Sequence, residues 1–360
     1  MLRSRRRMAA PALALAFTAC VVACGSPAKP HGDALLGPPL PSRTGSVVVN
    51  GCGLDSWQRA TLATPTAKHV LKEVIMLCLV PREDGTVGPR DPSAREALTA
   101  LTADLKRDGY VVNFGLTFAD ESGTRYDGAQ TRAFLANPAW RAQLLATLPA
   151  VIAPADGVEI DLQQLPDDAR PFVTALVTSI AQKVRPSKHL NLFVPPSTTI
   201  PSNLPGGEAF SRKDLAPFVD RMRIMTLEYS DTTPGPTIDP SWAVAAVRLA
   251  KSEFPRVDIA YPLYGMGFAQ RGNRPSSYDE AHAIAADQDV PIERGDTGAP
   301  FIRYSVAGEA RELWFDDLQS TRRALGSWTV DVLPADVGVL FYGLGSEDPN
   351  LFDGLSARMP

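Results

Sequence analysis

The chain has 360 residues, and its 36 lysines and arginines against 40 aspartates and glutamates give a formal net charge of −4. Hydrophobic residues make up 44% and charged residues 21%, which are ordinary values for a globular protein. No basic stripe interrupts this acidic balance, so no nucleic-acid partner is expected. The four histidines, His31, His69, His189 and His282, lack metal-ligand spacing, and neither a metal nor another cofactor is expected.

The first 24 residues have the pattern of a bacterial export signal. Four arginines within the first seven residues precede a run from Met8 to Ala23 that is almost entirely apolar or small. This run is too short to span a bilayer, which takes about 20 residues, and its charged start is typical of a secretory signal. The stretch Val-Val-Ala-Cys that ends at Cys24 resembles the lipobox of bacterial lipoproteins, whose cysteine is lipidated and becomes the first mature residue. An ordinary cleaved signal with incidental cysteines is the alternative.

A segment rich in proline and glycine, residues 25–44, follows the signal and has no apolar periodicity. We interpret it as a tether that holds the following domain away from the membrane. Residues 45–360 are therefore the predicted folded domain, anchored through lipid to the outer face of the cell membrane and expected to be a monomer. Loss of the four signal arginines changes the formal net charge from −4 to −8.

Two cysteines, Cys52 and Cys78, remain in the domain besides the proposed lipid acceptor. Thiol pairs tend to oxidise outside the cytoplasm, and both residues lie on or near strands that are expected to be neighbours. A disulfide between them is one prediction, and two separate buried thiols are the alternative.

Short apolar runs alternate along the domain with longer amphipathic runs. The predicted strands are, in chain order, Val47–Asn50, Val74–Val80, Tyr110–Thr117, Val158–Leu162, Leu190–Val194, Met222–Leu227, Val257–Leu263 and Val337–Leu344. The predicted helices between them, each with apolar residues at helical spacing, are Ala94–Lys106, Thr131–Ile152, Pro171–Val184 and Ser241–Ser252.

Alternation of strands and helices implies parallel strands. Eight such units in this length predict an α/β fold, the (β/α)8 TIM barrel. A doubly wound open sheet is the alternative, but no Gly-rich turn follows the first strand to favour it. Residues 266–312 are too long for one connection and predict a small α+β insertion after strand seven. Its predicted elements are a helix, Tyr278–Ala286, and two strands, Pro300–Ser305 and Glu309–Phe315.

The fourth strand is the most informative segment, with the sequence Asp-Gly-Val-Glu-Ile-Asp-Leu-Gln over residues 156–163. Side chains alternate between the two faces of a strand, so Glu159, Asp161 and Gln163 share one face. Polar side chains inside a barrel are costly unless they form a network, and barrel enzymes carry their chemistry at the carboxyl ends of the strands. The pattern therefore predicts a functional site around Gln163, and a solvated edge strand is the alternative.

This segment resembles the fourth-strand signature of glycoside hydrolase family 18, the chitinase-like barrels, which is Asp-Gly-x-Asp-x-Asp-x-Glu. Further segments that resemble the family are Ile224–Glu228, Pro234–Pro236 with Trp242, Tyr261–Gly265, Trp314–Asp317 and residues 338–349. The resemblance covers roughly residues 45–352 and is strongest to the branch with spore cortex-lytic and other peptidoglycan-directed members. It implies a (β/α)8 barrel whose ligand is an N-acetylated glycan or peptidoglycan.

The sequence departs from the family at its catalytic positions. In the family mechanism the substrate's own acetamido oxygen attacks the anomeric carbon while the last Glu of the signature protonates the leaving oxygen. That position is Gln163 here, and an amide has no proton of useful acidity. The middle Asp of the signature, which precedes Asp161, is replaced by the longer Glu159.

The resemblance also implies changes on strands six and eight. Leu227 stands where the family has the Tyr that holds the acetamido group, and Glu228 stands where it has Asp. Tyr342 stands where a Trp forms the floor of the sugar pocket. Tyr229 lies two residues from Leu227, is expected on the same face, and is a candidate substitute for the missing Tyr.

Three functions remain open from the sequence. The first is a non-catalytic barrel that binds N-acetylated glycans at the cell surface; the second is an active glycosidase with a relocated acid, Glu159 or Glu228. The third is a structural or partner-binding lipoprotein whose cleft is vestigial. In the non-catalytic barrel, the residues at the family's catalytic positions are Asp161, Glu159 and Gln163. The candidate ligand-binding residues are Asp156, Glu228, Tyr229, Tyr261, Tyr342 and Trp57.

Lipidation at Cys24 is testable on protein recovered from its native envelope. We expect mass spectrometry of the mature N-terminus to find a diacylglyceryl group on Cys24, because the lipobox places cleavage directly before it. Release of the protein to the medium, with a free N-terminus at another residue, would contradict the lipobox interpretation.

Overall fold

The computed structural model describes residues 45–120, 125–197, 199–200, 202–270, 272–329 and 333–357. The export signal, the lipid-acceptor Cys24 and the tether, predicted for residues 1–44, lie outside the described residues. In the described part of the chain, no helix has the length and apolar character needed to cross a membrane.

The secondary structure alternates between strands and helices for most of the chain. The strands are β1 (Gly45–Asn50), β2 (Leu71–Pro81), β3 (Val87–Pro89), β4 (Val111–Thr117), β5 (Gly157–Asp161), β6 (His189–Val194), β7 (Arg221–Ile224), β8 (Val257–Pro262), β9 (Gly265–Ala269), β10 (Gly272–Ser276), β11 (Glu293–Arg294), β12 (Pro300–Val306), β13 (Glu309–Trp314) and β14 (Gly338–Tyr342). The helices are α1 (Ser56–Ala63), α2 (Pro65–Val70), α3 (Arg95–Arg107), α4 (Gly128–Ala136), α5 (Pro138–Val151), α6 (Arg170–Val184), α7 (Arg212–Leu215), α8 (Pro240–Glu253), α9 (Tyr278–Asp287), α10 (Leu318–Thr329) and α11 (Leu351–Ser356).

Eight of these strands form a closed parallel barrel. Their order around the ring is β1-β14-β8-β7-β6-β5-β4-β2, and the pairing of β1 with β2 closes it. The short β3 pairs antiparallel with β2 outside the ring. The predicted (β/α)8 barrel is confirmed, and closure of the ring excludes the open doubly wound sheet.

The predicted α+β insertion after the seventh barrel strand is present, with more strands than the sequence indicated. Its antiparallel sheet has the order β10-β9-β13-β12-β11, and α9 belongs to the same segment. Three of its five strands, β9, β10 and β11, were not predicted. They are short, and β10 reads Gly-Asn-Arg-Pro-Ser, which has no apolar alternation to detect.

The single helix predicted over Thr131–Ile152 is wrong, because the chain forms two helices there. α4 ends before Asn137, whose side-chain Oδ1 accepts hydrogen bonds from the backbone N–H groups of Ala139 and Trp140 at the start of α5. Pro138 occupies the first position of α5. A residue before proline is disfavoured in the helical region, so the Asn-Pro pair ends one helix and starts the next.

The interior of the barrel contains a polar layer in the amino-terminal half of the strands, which we call the Arg223 network. It consists of buried side chains from seven of the eight barrel strands: Ser46, Glu73, Asn113, Glu159, Asn191, Arg223 and Asp258. The guanidinium of Arg223 forms ion pairs with Glu73 at 2.6 Å, with Glu159 at 3.0 Å and with Asp258. This single cation therefore joins strands that lie on opposite sides of the barrel.

The amides of Asn113 and Asn191 complete the network around Glu159. Both donate to its Oε1 atom, at 3.3 Å and 2.6 Å. Burial nevertheless raises the pKa of Glu159 to about 6, because desolvation outweighs the stabilising charge of Arg223 and the neighbouring charge of Glu73 adds to it. Burial is also the largest effect on Glu73, but the charge of Arg223 and the hydrogen bonds from Ser46 and Arg223 together outweigh it and hold the pKa of Glu73 below its ordinary value.

The two cysteines of the domain are neighbours at the carboxyl end of the first two barrel strands. Cys52 follows β1, Cys78 lies in β2, and the Cys52 thiol donates to the carbonyl oxygen of Cys78 at 3.5 Å. The structure has both as free thiols and does not contain the expected disulfide. Their proximity is compatible with oxidation in an exported protein, so the bridge stays a prediction.

The pKa of Glu159 has a consequence for stability. The folded-state pKa of Glu159, about 6, lies above the ordinary value of 4.5. Glu159 therefore makes its full contribution to the free energy of unfolding when the pH is below 4.5. This contribution declines by about 2 kcal/mol as the pH rises through the folded-state pKa. We expect Glu159→Gln to remove this decline in urea unfolding curves recorded between pH 4.5 and 7.5. The exposed Asp104→Asn is the matched control, and wild-type and Glu159→Gln profiles that stay parallel would contradict the assignment.

Candidate functional site at the barrel mouth

The carboxyl ends of the eight parallel strands meet at one end of the barrel, which we call the mouth. Six polar side chains lie there or directly after a strand that ends there, and we call them the mouth cluster: Tyr126, Asp161, Gln163, Glu228, Tyr264 and Tyr342. Their hydrogen bonds and ring contacts connect β4, β5, β7, β8 and β14, so the cluster is built by the barrel as a whole.

Asp161 is the buried centre of the cluster and is only 1% exposed. Its Oδ2 accepts hydrogen bonds from the hydroxyls of Tyr126 at 2.6 Å and Thr117 at 3.1 Å. Its Oδ1 accepts one from Nε2 of Gln163 at 3.0 Å. Burial raises the pKa of Asp161, and these three donors act in the opposite direction by stabilising the carboxylate.

The bond to Asp161 fixes how Gln163 presents its amide. Because a carboxylate oxygen only accepts, the atom facing it is the amide nitrogen, and the Gln163 oxygen and the second N–H of the amide are left for other partners. The backbone after Gln163 is held by a close approach of α4. A Cβ on Gly128 would stand 1.8 Å from the carbonyl oxygen of Gln164, so only glycine fits at that point.

Glu228 follows β7 in a backbone conformation that is rare for a residue with a side chain, with φ of 56°. The side-chain amide of Asn203 holds this turn, because its Nδ2 donates to the carbonyl oxygens of Glu228 at 3.0 Å and Tyr229 at 2.9 Å. The hydroxyl of Tyr264 donates to Oε1 of Glu228 at 3.3 Å. Burial raises the pKa of Glu228, and the charge of Asp231 adds to this effect.

Tyr342 lies within electrostatic range of both carboxyl groups of the mouth. Burial raises the pKa of its hydroxyl, and the charges of Asp161 and Glu228 raise it further, so both groups act on the same phenol. The ring makes edge contacts with Tyr264, at 6.4 Å between ring centroids, and with Phe193, at 6.3 Å. Tyr342 is half-buried, so part of its ring remains available to a ligand.

An apolar layer follows the Arg223 network along the barrel strands, at the level of Asp161, which pairs in register with Phe193. Its buried members are Val48, Ile75, Leu77, Phe193, Met225, Leu227, Ala260 and Leu340. Leu227 therefore faces hydrocarbon and is 3% exposed. The position where the family resemblance implies a Tyr for an acetamido group offers no hydrogen bond here.

Three of the predicted site residues lie away from the mouth. Glu159 belongs to the Arg223 network, and Asp156 lies at the opposite end of β5, where it pairs with Lys106 at 2.6 Å. Tyr261 is fully buried against Trp328 outside the barrel ring, and its hydroxyl donates to Asp316. These three side chains have structural partners and are not brought together with Gln163.

Two predicted aromatic residues are exposed after the ends of their strands. Trp57, which follows β1 at the start of α1, is 38% exposed. Tyr229 is 42% exposed and packs against Trp242 with ring centroids 5.4 Å apart. The expectation that Tyr229 shares a face with Leu227 is wrong, because β7 ends at Ile224 and the turn at Glu228 breaks the strand alternation.

Sequence reasoning missed Tyr126, Tyr264 and Asn203 as members or supports of the site. Tyr264 lies two residues beyond the last residue of β8, so continued strand alternation from Pro262 is a signal that points to it. Tyr126 and Asn203 lie in loops, where no periodicity predicts direction. Among the described residues, no group of three or more histidine, cysteine or acidic side chains is arranged to hold a metal ion.

Comparison with known proteins places this fold among the chitinase-like barrels. No protein-family model matches the chain, and no curated protein matches it. The spore cortex-lytic enzyme SleL of Bacillus cereus superposes with a TM-score of 0.73 at 16% identity, over 90% of this chain and 76% of that one. A chitinase from Chromobacterium violaceum superposes with a TM-score of 0.69 at 15% identity, over 87% of this chain and 98% of that one.

A class V chitinase from Nicotiana tobaccum has the same fold in a complex with NAG4. The solved form carries glutamine in place of one glutamate and superposes with a TM-score of 0.66 at 13% identity, over 88% of this chain and 98% of that one. At sequence identities this low, the superpositions establish a shared fold alone. The expected chitinase-like fold of glycoside hydrolase family 18 is thereby confirmed.

The bond between Tyr126 and Asp161 is testable by Tyr126→Phe. A hydrogen bond to a charged group contributes about 1.5–3 kcal/mol, so we expect the free energy of unfolding to fall by about that amount. We also expect the pKa of Asp161 to rise further, because the Tyr126 hydroxyl lowers it. Urea unfolding and an NMR titration of Asp161 measure both effects. Tyr229→Phe, on an exposed ring, is the control, and an unchanged Asp161 titration would contradict the assignment.

Proposed function

We propose that this protein binds glycans containing N-acetylglucosamine, chitin-like or peptidoglycan, in the mouth of its barrel and does not hydrolyse them. The observation that carries the proposal is Gln163, an amide at the position of the family's acid, hydrogen-bonded to Asp161 at 3.0 Å. Protonation of a leaving oxygen requires a group that can release a proton near neutral pH, and an amide does not. The first requirement of the family mechanism is therefore missing.

The second requirement is a hydrogen bond that holds the substrate's acetamido group against the anomeric carbon. Leu227 is packed in the apolar layer with Phe193 and Met225 and supplies no such bond. Without it the internal nucleophile is not held in an attacking geometry, and orientation of this kind accounts for a large share of the rate in such reactions. Loss of both groups favours binding without turnover.

The mouth nevertheless has the chemistry that carbohydrate binding needs. Aromatic faces stack on sugar rings, and Tyr342 at the carboxyl end of β14 is half-buried, while Trp57, in the helix that follows β1, is exposed. Gln163, Glu228 and the Tyr264 hydroxyl supply polar atoms in the same cluster as Tyr342. The Nicotiana tobaccum chitinase of the same fold holds NAG4 with one glutamate replaced by glutamine, so such a replacement is compatible with an occupied cleft.

One observation favours a second function, hydrolysis with a relocated acid. Glu228 is the mouth carboxyl that keeps an oxygen without a described donor, and burial raises its pKa, as a general acid requires. Glu159, the other candidate, lies in the Arg223 network below the apolar layer and is paired with that guanidinium at 3.0 Å. A relocated acid is therefore confined to Glu228.

We further propose that the domain acts at the outer face of the cell membrane, attached through lipid at Cys24. The export signal and the tether of residues 25–44 support this location. A tethered barrel at that position meets cell-wall glycan, which is the polymer that the resemblance to peptidoglycan-directed family members implies.

Glycan binding is tested by calorimetric titration of the purified full-length protein, in detergent, with N-acetylglucosamine oligomers of two to six units. We expect saturable binding that strengthens with oligomer length and that weakens about fivefold in Tyr342→Ala, because stacking on an aromatic ring contributes about 1 kcal/mol. Trp242→Phe, on a ring packed under Tyr229, serves as the control. Absence of binding to every oligomer and to peptidoglycan fragments would favour a structural or partner-binding role instead.

The loss of catalysis is tested with a chromogenic N-acetylglucosamine oligomer. We expect no turnover by the wild type and no more than a trace by Gln163→Glu, because residues that act as a unit in catalysis are strongly non-additive and Leu227 still supplies no clamp. Gln164→Glu makes the same change one residue away on an exposed side chain and is the matched control. Robust wild-type turnover that Glu228→Gln abolishes would establish the relocated acid.

A further inference from the structure

Resting on the proposed glycan-binding function, we propose that the mouth selects a sugar whose nitrogen is not acetylated, a glucosamine unit whose ammonium group binds the carboxylate of Glu228. The glycan would then be a partly de-N-acetylated polymer of N-acetylglucosamine. The selection follows from which groups the mouth lacks and which it retains.

The mouth lacks a donor for an acetamido carbonyl at the position of Leu227, where the family resemblance implies one, and part of the amide at the position of the family's acid is already engaged. Leu227 presents hydrocarbon, and the amide nitrogen of Gln163 already donates to Asp161 at 3.0 Å. The Gln163 oxygen, which only accepts, and the second N–H of its amide remain for a ligand. An acetamido carbonyl placed against Leu227 would meet an apolar wall and find no donor there.

The mouth retains two carboxyl groups whose partners in the described residues are all neutral. Asp161 is bound by Thr117, Tyr126 and Gln163, and Glu228 is bound by Tyr264. The three donors on Asp161 use both of its oxygens. Glu228 has one described donor, on Oε1, so its Oε2 atom is available to a ligand that donates hydrogen bonds.

A cationic ligand relieves the electrostatic cost of this arrangement. A carboxylate removed from water without a cation is unfavourable, and an ammonium group at hydrogen-bond distance offsets that cost. The two carboxyl groups act on one phenol, since the charges of Asp161 and Glu228 both raise the pKa of Tyr342 after burial. The negative potential is therefore concentrated around the ring on which a sugar would stack.

The backbone at Glu228 holds its carboxylate in place before any ligand arrives. Its φ of 56° costs free energy for a non-glycine residue, and strained residues of this kind cluster at functional sites. Asn203 fixes the turn through two hydrogen bonds to the carbonyl oxygens of Glu228 and Tyr229. A metal ion is a poor competitor for this position, because the described residues contain no metal-holding group of three acidic, histidine or cysteine side chains.

The test is a calorimetric comparison, on the full-length protein in detergent, of the N-acetylglucosamine tetramer with the glucosamine tetramer. We expect the glucosamine tetramer to bind about tenfold more tightly or better at a pH where its ammonium groups are charged, since a buried charge pair is strongly favoured over a single unpaired charge. Glu228→Gln should remove this preference, so that the variant binds the two tetramers with affinities within about twofold of each other. Asp104→Asn, the same charge change on an exposed helix residue, should keep the preference.

The outcomes distinguish failure of the ammonium inference from failure of the proposed glycan binding. If the N-acetylated tetramer binds equally well or better, the ammonium inference is overturned while glycan binding stands. If neither tetramer binds, both are overturned. If Glu228→Gln keeps the preference for glucosamine, or if Asp104→Asn also weakens it, the preference comes from the net negative charge of the protein. Either result would contradict a specific pair between the ammonium group and Glu228. Wild-type titrations alone settle the first two outcomes, so the test holds even if Glu228→Gln does not fold.

Discussion

The buried guanidinium of Arg223 is the interaction on which the rest of this barrel depends. It is the cation inside a ring of three acidic side chains, Glu73, Glu159 and Asp258, that come from different strands. Removing one partner of such a pair leaves an uncompensated charge away from water, which is strongly destabilising. The network therefore fixes the relative position of the strands that carry the mouth. Within it, Glu159 has a structural role in the barrel.

The two inward acidic residues of β5 have different roles. Glu159 and Asp161 are two residues apart on β5 and share a face, yet the first lies in the Arg223 network and the second in the mouth cluster. Leu227 belongs to the apolar layer at the level of Asp161 and beyond it. The mouth thus rests on a rigid support while its own chemistry differs from the family pattern, with an amide at Gln163 and hydrocarbon at Leu227. On the proposed function, such a site binds a sugar without supplying the acid and the clamp of the family mechanism.

The fold and the centre of the site could be predicted from sequence because both depend on strand alternation. The alternation over residues 156–163 placed Asp161 and Gln163 together, and the structure has them hydrogen-bonded. The prediction failed where the chain leaves regular structure. The positive φ at Glu228 ended the alternation that had placed Tyr229 inside the barrel, and Tyr126 reaches Asp161 from a loop. Tyr261 was assigned to the cleft because residue type alone does not tell which face of β8 it occupies.

The most direct measurement is a crystal structure of the protein grown with the N-acetylglucosamine tetramer over days. We expect an intact tetramer in the mouth, with one sugar ring against Tyr342 and polar contacts to Gln163 and Glu228, because the groups needed for cleavage are missing. A shortened oligomer in the mouth would contradict the loss of hydrolysis, and a tetramer bound elsewhere with an empty mouth would contradict the site itself.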